Sequence, residues 1–326
     1  MIPMPDFRVE YPDTIEAVVR LLAGKDEARM LAGGTDLVTN LRHGIGAPAL
    51  LVSLDHVKGL HDIAADGDAL RIGASVTLAR LASDADVALR FPALAAAAGM
   101  VAGPAIRSTA TLGGNLCLDT RCLYYNQSEI WRRSNDHCLK YRGEICHVAP
   151  QGKRCHAAFS GDVAPVLLVL GAEAEIAGPA GARRIPLNEL YRDDGAQHLV
   201  LERGELLAAV RVPRQRPTLR AAYRKARTRG AIDFPLAGVA LALEMQQGRV
   251  SELRVALTGT NSRPLLLAGT EGLCGQAPDQ ALLDKLMKLV QRQASPQRTT
   301  VTASNYRRQV AAAIAARLVG ELAALG

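Results

Sequence analysis

The stretch "ARMLAGGTDL", residues 28–37, decides the fold. A short strand-like run leads straight into two glycines, a hydroxyl and an acid. Glycines let a backbone come close to a ligand and point successive N–H groups at it, which suits a pyrophosphate. A plain strand-to-helix turn reads the same way, so the stretch gains meaning from its echo. "TATLGGNL", residues 109–116, is a second such turn, with two threonine hydroxyls ahead of its glycines. Two of them in one domain point to a dinucleotide. "GIGAPA", residues 44–49, formally fits G-x-G-x-x-A. No convincing strand precedes it and Pro48 stands where the helix should begin, so no Rossmann site is read there.

Outward from these turns the chain alternates strands and helices without a steady βαβ rhythm, which reads as α+β. "DTIEAVVRLLAG" is a helix, with Asp13 and Glu16 as a capping box and Gly24 as its stop. "LLVSL" and "ALRIGAS" are strands, "VTLARLASD" is a helix capped by Ser75 or Thr77, and "PALAAAAGMVAG" is a helix. "VAPVLLVLGA" is a helix followed by the strands "EAEIAG" and "ELLAAVRVP". "PRQRPTLR", residues 213–220, reads as a linker. Beyond it come three strands, "AAYRKAR", "AGVALALEM" and "ELRVALTG", and two closing helices. The expected division is a larger domain over residues 1–216 and a smaller α+β domain over 217–326.

The chain has 326 residues, 48% of them hydrophobic, a globular composition with room for two cores. No stretch is long and apolar enough to span a membrane, and the first residues lack a signal pattern, so a cytoplasmic place is expected. The formal net charge of +7 comes from bases scattered among acids, which argues against nucleic-acid binding.

Residues 118–159 stand apart. Four of the six cysteines lie there, with Cys117 at the edge, and so do five of the twelve aromatics: Tyr124, Tyr125, Trp131, Tyr141 and Phe159. So few aliphatic residues cannot build a core, so the segment needs a staple. Disulfides fit poorly with a chain lacking an export signal. Structural zinc favours closely paired cysteines, which are missing here. An iron–sulfur cluster needs four thiolates and tolerates wide gaps. Spacing alone leaves these open, including a zinc-stapled binding module with no redox role. The segment carries seven bases and four acids, an excess that suits an acidic partner.

"LAGGTDL", "IRSTATLGGNL", "SGDVAPVLLVLGA" and "YRKA", in this order, resemble the FAD-binding medium subunits of the molybdenum hydroxylases, the family of xanthine and carbon monoxide dehydrogenases. The resemblance implies a two-lobed FAD domain of the vanillyl-alcohol-oxidase (PCMH) type, then a small C-terminal domain like that of carbon monoxide dehydrogenase flavoproteins. It implies that the stretch Arg29, Met30, Leu31, Ala32, Gly33, Gly34, Thr35, Asp36 and Leu37 holds the pyrophosphate. Thr77, Val101, Ala102, Thr109, Thr111, Gly114 and Asn115 would hold other parts of FAD, with Asp162, Leu206 and Lys225. Residues read on their own leave Asp162 as a helix N-cap and Lys225 as a solvent-facing strand residue. No catalytic residue is implied.

The cysteine segment is an insert relative to most of that family. It resembles the insert of the 4-hydroxybenzoyl-CoA reductase branch, which implies a [4Fe-4S] cluster on Cys122, Cys138, Cys146 and Cys155. The implied function is electron transfer in the reductive dehydroxylation of 4-hydroxybenzoyl-CoA to benzoyl-CoA, with ferredoxin as donor. The implied partners are a molybdopterin-binding large subunit and a [2Fe-2S] small subunit, in a dimerised heterotrimer. The alternative is the same subunit in an aldehyde or xanthine dehydrogenase. Cys117 and Cys274 are left without a ligand role, and His137, His147 and His156 without ligation.

Overall fold

The computed structural model describes residues 4–24, 27–297 and 302–325. The chain opens with a parallel three-stranded sheet in the order β1-β3-β2, formed by β1 (Arg8–Glu10), β2 (Ala28–Leu31) and β3 (Leu50–Ser53). The helix Ile15–Gly24 covers it, burying Val18 and Leu22 against Leu50, Val52 and Leu60. The capping expectation needs correcting. Thr14, not Asp13, closes this helix, its Oγ1 accepting from the Ala17 N–H at 3.2 Å.

The second lobe is an antiparallel sheet, order β4-β5-β8-β6-β7. Its strands are β4 (Ile63–Asp66), β5 (Ala69–Gly73), β6 (Glu173–Gly178), β7 (Gly181–Pro186) and β8 (Leu206–Pro213). Sequence reading missed β4 and β7, whose burial is slight: four consecutive residues of β7 are exposed, so no apolar alternation marks it. The helices Leu78–Ser83, Pro92–Gly99 and Val163–Val169 pack in the core of this lobe. Thr77 caps the first of them, accepting from the Arg80 N–H. Every residue of Val163–Val169 is buried, which is why its sequence is apolar all round.

The C-terminal sheet runs β12-β11-β10-β9, from β9 (Arg220–Ala226), β10 (Ala237–Gln246), β11 (Arg249–Thr258) and β12 (Leu265–Leu266). The continuous apolar run of β10 has a simple cause: both of its faces are covered. Val239, Leu241 and Leu243 face the helices Gln280–Gln293 and Ser304–Ala323. Ala240 and Ala242 join the core of the second lobe instead. Small residues on that side let the sheet lie close to the helix Val163–Val169. Among the described residues no helix is long and apolar enough to cross a membrane.

The cysteine segment is a closed excursion. Arg121 and Ala158 exchange both backbone hydrogen bonds, at 3.0 and 2.8 Å, and pinch its neck. Inside lies one short helix, Glu129–Ser134, capped by Ser128. Beneath the neck sits His198, 8% exposed, its ring 6.3 Å from that of Phe159. Burial, then the nearby Lys140 charge, lowers its pKa from 6.5 to about 4. The unfolded chain therefore binds this proton below about 6.5, while the folded one does so only below about 4. Stability is intact above the upper value and falls as pH drops through the window. Going from about pH 7 to about pH 5, the native chain should lose about 2 kcal/mol more than His198→Gln in urea unfolding. Equal losses in the two proteins would contradict this assignment.

Candidate functional site

The two glycine turns lie against each other. A Cβ on Gly33 would sit 1.8 Å from the Thr109 carbonyl oxygen, so glycine is required there by the seam between turns. Gly34 follows at φ +69°, a conformation that bends the chain out of β2. Among the described residues, nothing accepts from the backbone N–H groups of Gly33, Gly34, Thr35, Asp36 and Leu37. That row of open donors is what an anionic ligand requires.

The second turn differs. It begins the short helix Leu112–Leu116. The Leu112 and Gly113 amides donate to Val76 and Ala74, and those of Gly114 and Asn115 donate to Thr111 Oγ1 and its carbonyl. Sequence reading treated the turns as equivalent; only the first presents open amides. What the second presents is an exposed edge: Thr109 and Gly114 are exposed, and Thr77 bridges to Thr111 beneath.

A line of contacts leads on from this turn. Asn115 Oδ1 accepts from the Val163 N–H at 3.2 Å. So Asn115 caps the helix Val163–Val169, and Asp162 does not; its side chain makes no cap bond. Asp162 accepts instead from the Tyr223 hydroxyl at 2.5 Å and from Lys225 Nζ at 2.9 Å. The Lys225 and Asp162 side chains are 1% and 5% exposed. Both plain readings, the N-cap and the solvent-facing lysine, are thus corrected. Burial pushes the Asp162 carboxyl up, against the pull of Lys225 and of the Tyr223 hydroxyl. Lys225 also donates to the Asp233 carbonyl at 3.3 Å, and the neighbouring Ile232 N–H donates to the Ala102 carbonyl at 3.2 Å. The Val101–Ala102 loop therefore closes the line. Tyr223 and the loop around Asp233 were missed, although Tyr223 sits in the "YRKA" stretch itself.

Arg29 is exposed on β2, while Met30, Leu31, Ala32 and Leu37 are half-buried around the first turn. Leu206 is set apart. Its side chain is wholly buried among Val18, Leu50 and Leu54 in the core beside the parallel sheet, so it presents no side-chain surface to a ligand.

In the cysteine segment, Cys122 lies within electrostatic reach of Cys138 and Cys146, and Cys155 within reach of Cys122 and Cys146. Cys138, Cys146 and Cys155 are buried and Cys122 is half-buried; all six cysteines of the chain are free thiols. Burial pushes Cys122 up, and charge on Cys138 or Cys146 would push it further. Burial pushes Cys155 up to about 12, and charge on Cys122 or Cys146 adds to it. The four are therefore electrostatic neighbours. Two sulfurs already receive backbone donors: the Tyr125 N–H reaches Cys122 Sγ at 3.3 Å, and the Ala157 N–H reaches Cys155 Sγ at 3.4 Å. Among the described residues no three His, Cys, Asp or Glu side chains converge tightly enough for a single metal ion. A tetrahedral zinc site draws its sulfurs to about 3.8 Å from one another, as a Zn–S distance of about 2.3 Å dictates. The chain around Cys138 is tightly wound, with Asp136, His137 and Arg142 all at positive φ. Such strain in non-glycine residues persists only where the surroundings enforce it.

Arg132 and Lys140 are not surface charges. The Arg132 side chain is 2% exposed and donates to the Tyr125 and Gly44 carbonyls and to Glu129. It is a strut, so the basic excess counted from sequence overstates the segment's surface charge. Its partner Gly44, with Ile45 packed against Tyr125 and Cys138, belongs to "GIGAPA". That stretch serves as the seat of the insert. His147 Nε2 meets the His137 carbonyl.

The sequence profile of the FAD binding domain in molybdopterin dehydrogenase matches residues 5–215. That of the CO dehydrogenase flavoprotein C-terminal domain matches residues 221–322. The chain belongs to the FAD-binding medium subunits of the molybdenum hydroxylase family. This medium subunit is 32% identical to the aldehyde oxidoreductase FAD-binding subunit of Escherichia coli over 271 residues, 79% of this chain and 82% of the relative. It is 27% identical to a xanthine dehydrogenase FAD-binding subunit of Escherichia coli over 314 residues, 95% of this chain and 94% of the relative. It superposes on the crystal structure of the Cu,Mo-CO dehydrogenase in its cyanide-inactivated form with a TM-score of 0.83, at 26% identity and complete coverage of both chains.

The residues fit the flavin that the family binds. A row of open amides on a glycine turn, against a second turn with an exposed edge, has the chemistry that a dinucleotide phosphate requires. Gly114→Ala is the clean probe, because its added Cβ would meet only Thr111 Oγ1, at 3.1 Å. It should still fold, with Thr111 giving way by a small shift, and lose flavin absorbance. Gly33→Ala should be destabilised itself, by about 1–3 kcal/mol, since Thr109 must move. A Gly114→Ala chain with full flavin would contradict the cradle.

Proposed function

We propose that this medium subunit carries, beside FAD, a [4Fe-4S] cluster on Cys122, Cys138, Cys146 and Cys155. In this reading it passes electrons between the molybdenum centre of its complex and an external carrier. The observation that supports the cluster most is the nest itself. It has four free thiols, each within electrostatic reach of Cys122 or Cys155 and too spread for one ion, with backbone N–H groups already aimed at two sulfurs. Such hydrogen bonds and such burial are the means by which proteins tune clusters. The nest is the chain's own work; the large subunit would supply molybdopterin and the small subunit a [2Fe-2S] centre.

Bound FAD supplies the exchange between two-electron and one-electron chemistry. The chain's residues bind and orient. The open amides from Gly33 to Leu37 would neutralise the pyrophosphate, and the exposed edge at Thr109 and Gly114 would hold its far side. Lys225, fixed by Asp162, would offer a cation near the flavin ring without rotamer freedom to spend.

The substrate reading follows the relatives: oxidation of an aldehyde or of a xanthine-like heteroaromatic, with electrons leaving through this subunit. A second reading is favoured by one feature, the length and cysteine order of the insert. It is the 4-hydroxybenzoyl-CoA reductase assignment, in which ferredoxin delivers electrons to the cluster, then to FAD and then to molybdenum. Anaerobic mixing of the assembled complex separates the two. An aldehyde or xanthine that bleaches the flavin supports the first, and reoxidation of a prereduced complex by 4-hydroxybenzoyl-CoA supports the second.

The cluster itself is tested on this chain alone. Native protein reconstituted anaerobically should hold about four irons, as a [4Fe-4S] centre on four cysteines requires. Replacing any one of the four cysteines by Ser should abolish the broad visible absorption, while Cys117→Ser and Cys274→Ser should keep it. Iron that survives in all four single variants would sink the ligand set.

A further inference from the structure

We propose that Lys140 balances the charge of the cysteine nest: its buried ammonium offsets the negative charge of a four-thiolate cluster and holds the cluster's reduction potential up. This rests on the [4Fe-4S] reading above.

The observation is a lysine where lysines seldom occur. Its side chain is 5% exposed. Fully buried lysines are rare and almost always paired. Nζ lies 2.7 Å from Asp119 Oδ1, 2.8 Å from the Thr120 carbonyl, 2.5 Å from Thr120 Oγ1 and 2.8 Å from the Gly195 carbonyl. It also sits 4.9 Å from the centre of the Tyr125 ring.

Those partners lead to the thiols. Tyr125 packs with Cys122 and Cys138 in one apolar cluster, and its N–H donates to Cys122 Sγ. Gly195, which accepts from Lys140, donates its own N–H to the Cys155 carbonyl at 2.9 Å. Lys140 itself lies two positions past Cys138. The ammonium is thus bound to groups that touch three of the four cysteines.

Stability alone does not account for it. A buried lysine–carboxylate pair loses in desolvation much of what it gains in attraction, and apolar replacements of such pairs are often neutral or stabilising. A charge kept in so dry a place has a use in what it faces. Four thiolates outnumber the positive charge of an iron–sulfur core, so the assembled centre is an anion. Each added electron makes it more so. A fixed cation at low dielectric favours the reduced state, and cluster potentials follow net charge and solvent exposure. Asp119 offsets the cation in part, but its side chain is 30% exposed and screened on that side.

The test is a redox titration of the cluster in the reconstituted full chain, followed by electron paramagnetic resonance. Lys140→Met should shift the reduction equilibrium about tenfold toward the oxidised state, a midpoint lower by about 59 mV for one electron. Lys140→Arg, which keeps the charge, should shift it less than about twofold. Arg133→Met, which removes an exposed cation from the same insert, should do no more than that. An unchanged midpoint in an iron-loaded Lys140→Met chain overturns the proposal and leaves the cluster standing. If Lys140→Met fails to load iron while Lys140→Arg loads it, the charge is required for assembly, which supports the proposal. If both fail to load, the side chain is packing only and the proposal falls. A native chain that holds no iron removes the cluster reading first.

Discussion

One carboxylate joins the two halves of the site. Asp36 ends the first glycine turn, yet it does not cap the helix Leu37–Arg42 that follows. Its Oδ2 accepts from the Asp119 N–H and from Asn40 Nδ2, each at 3.3 Å, and its Oδ1 faces Arg121 at 3.6 Å. Asp119 in turn grips Lys140. The first glycine turn and a cysteine segment far apart in sequence are thereby joined through two direct contacts, from the Asp119 N–H and from Arg121. Arg121 adds a second hold by stacking on Tyr125, with 5.5 Å between guanidinium and ring centre. The cysteine segment is part of the flavin lobe, so flavin binding and the packing of this segment are expected to sense each other.

The rest of the cradle rests on seams between backbones. Gly33 meets Thr109 where no side chain fits, and Gly161 lies close enough to the Asn115 carbonyl that a Cβ would stand 2.6 Å away. The Asp162–Lys225 pair then ties the flavin lobe to β9 of the C-terminal domain, with Tyr223 as second donor. Removing one partner of a buried pair typically costs about 3–5 kcal/mol, because the other charge is stranded. The two domains are therefore held by chemistry at the site as well as by the alanine-faced packing of β10.

Much of this was legible in sequence, and the reasons are physical. The strands β2, β3, β5, β8 and β10 and the long helices announce themselves by periodicity or by continuous burial, and the glycine turns by their spacing. β4 and β7 were not legible, because edge strands with exposed faces carry no apolar signal. The roles of single polar residues were the least legible. Thr14 and Asp13 are equally good caps by type, and only backbone geometry chooses between them. Arg132 and Arg133 are alike in sequence, yet one is a buried strut and the other is exposed. "GIGAPA" imitates a nucleotide motif while serving as the platform for Tyr125 and Cys138. For Arg132, Arg133 and "GIGAPA", tertiary contacts, which leave no local trace, decide the role.

Hydrogen exchange across residues 119–146 in an Asp36→Ala chain tests the coupling through Asp36 most directly. Asp36 lies outside that segment, so a local effect would stay within the turn and the helix Leu37–Arg42. Faster exchange is expected at Asp119, Arg121 and on through Tyr141, with native rates in the C-terminal sheet. Unchanged exchange across the insert, with loosening confined to the glycine turn, would contradict it.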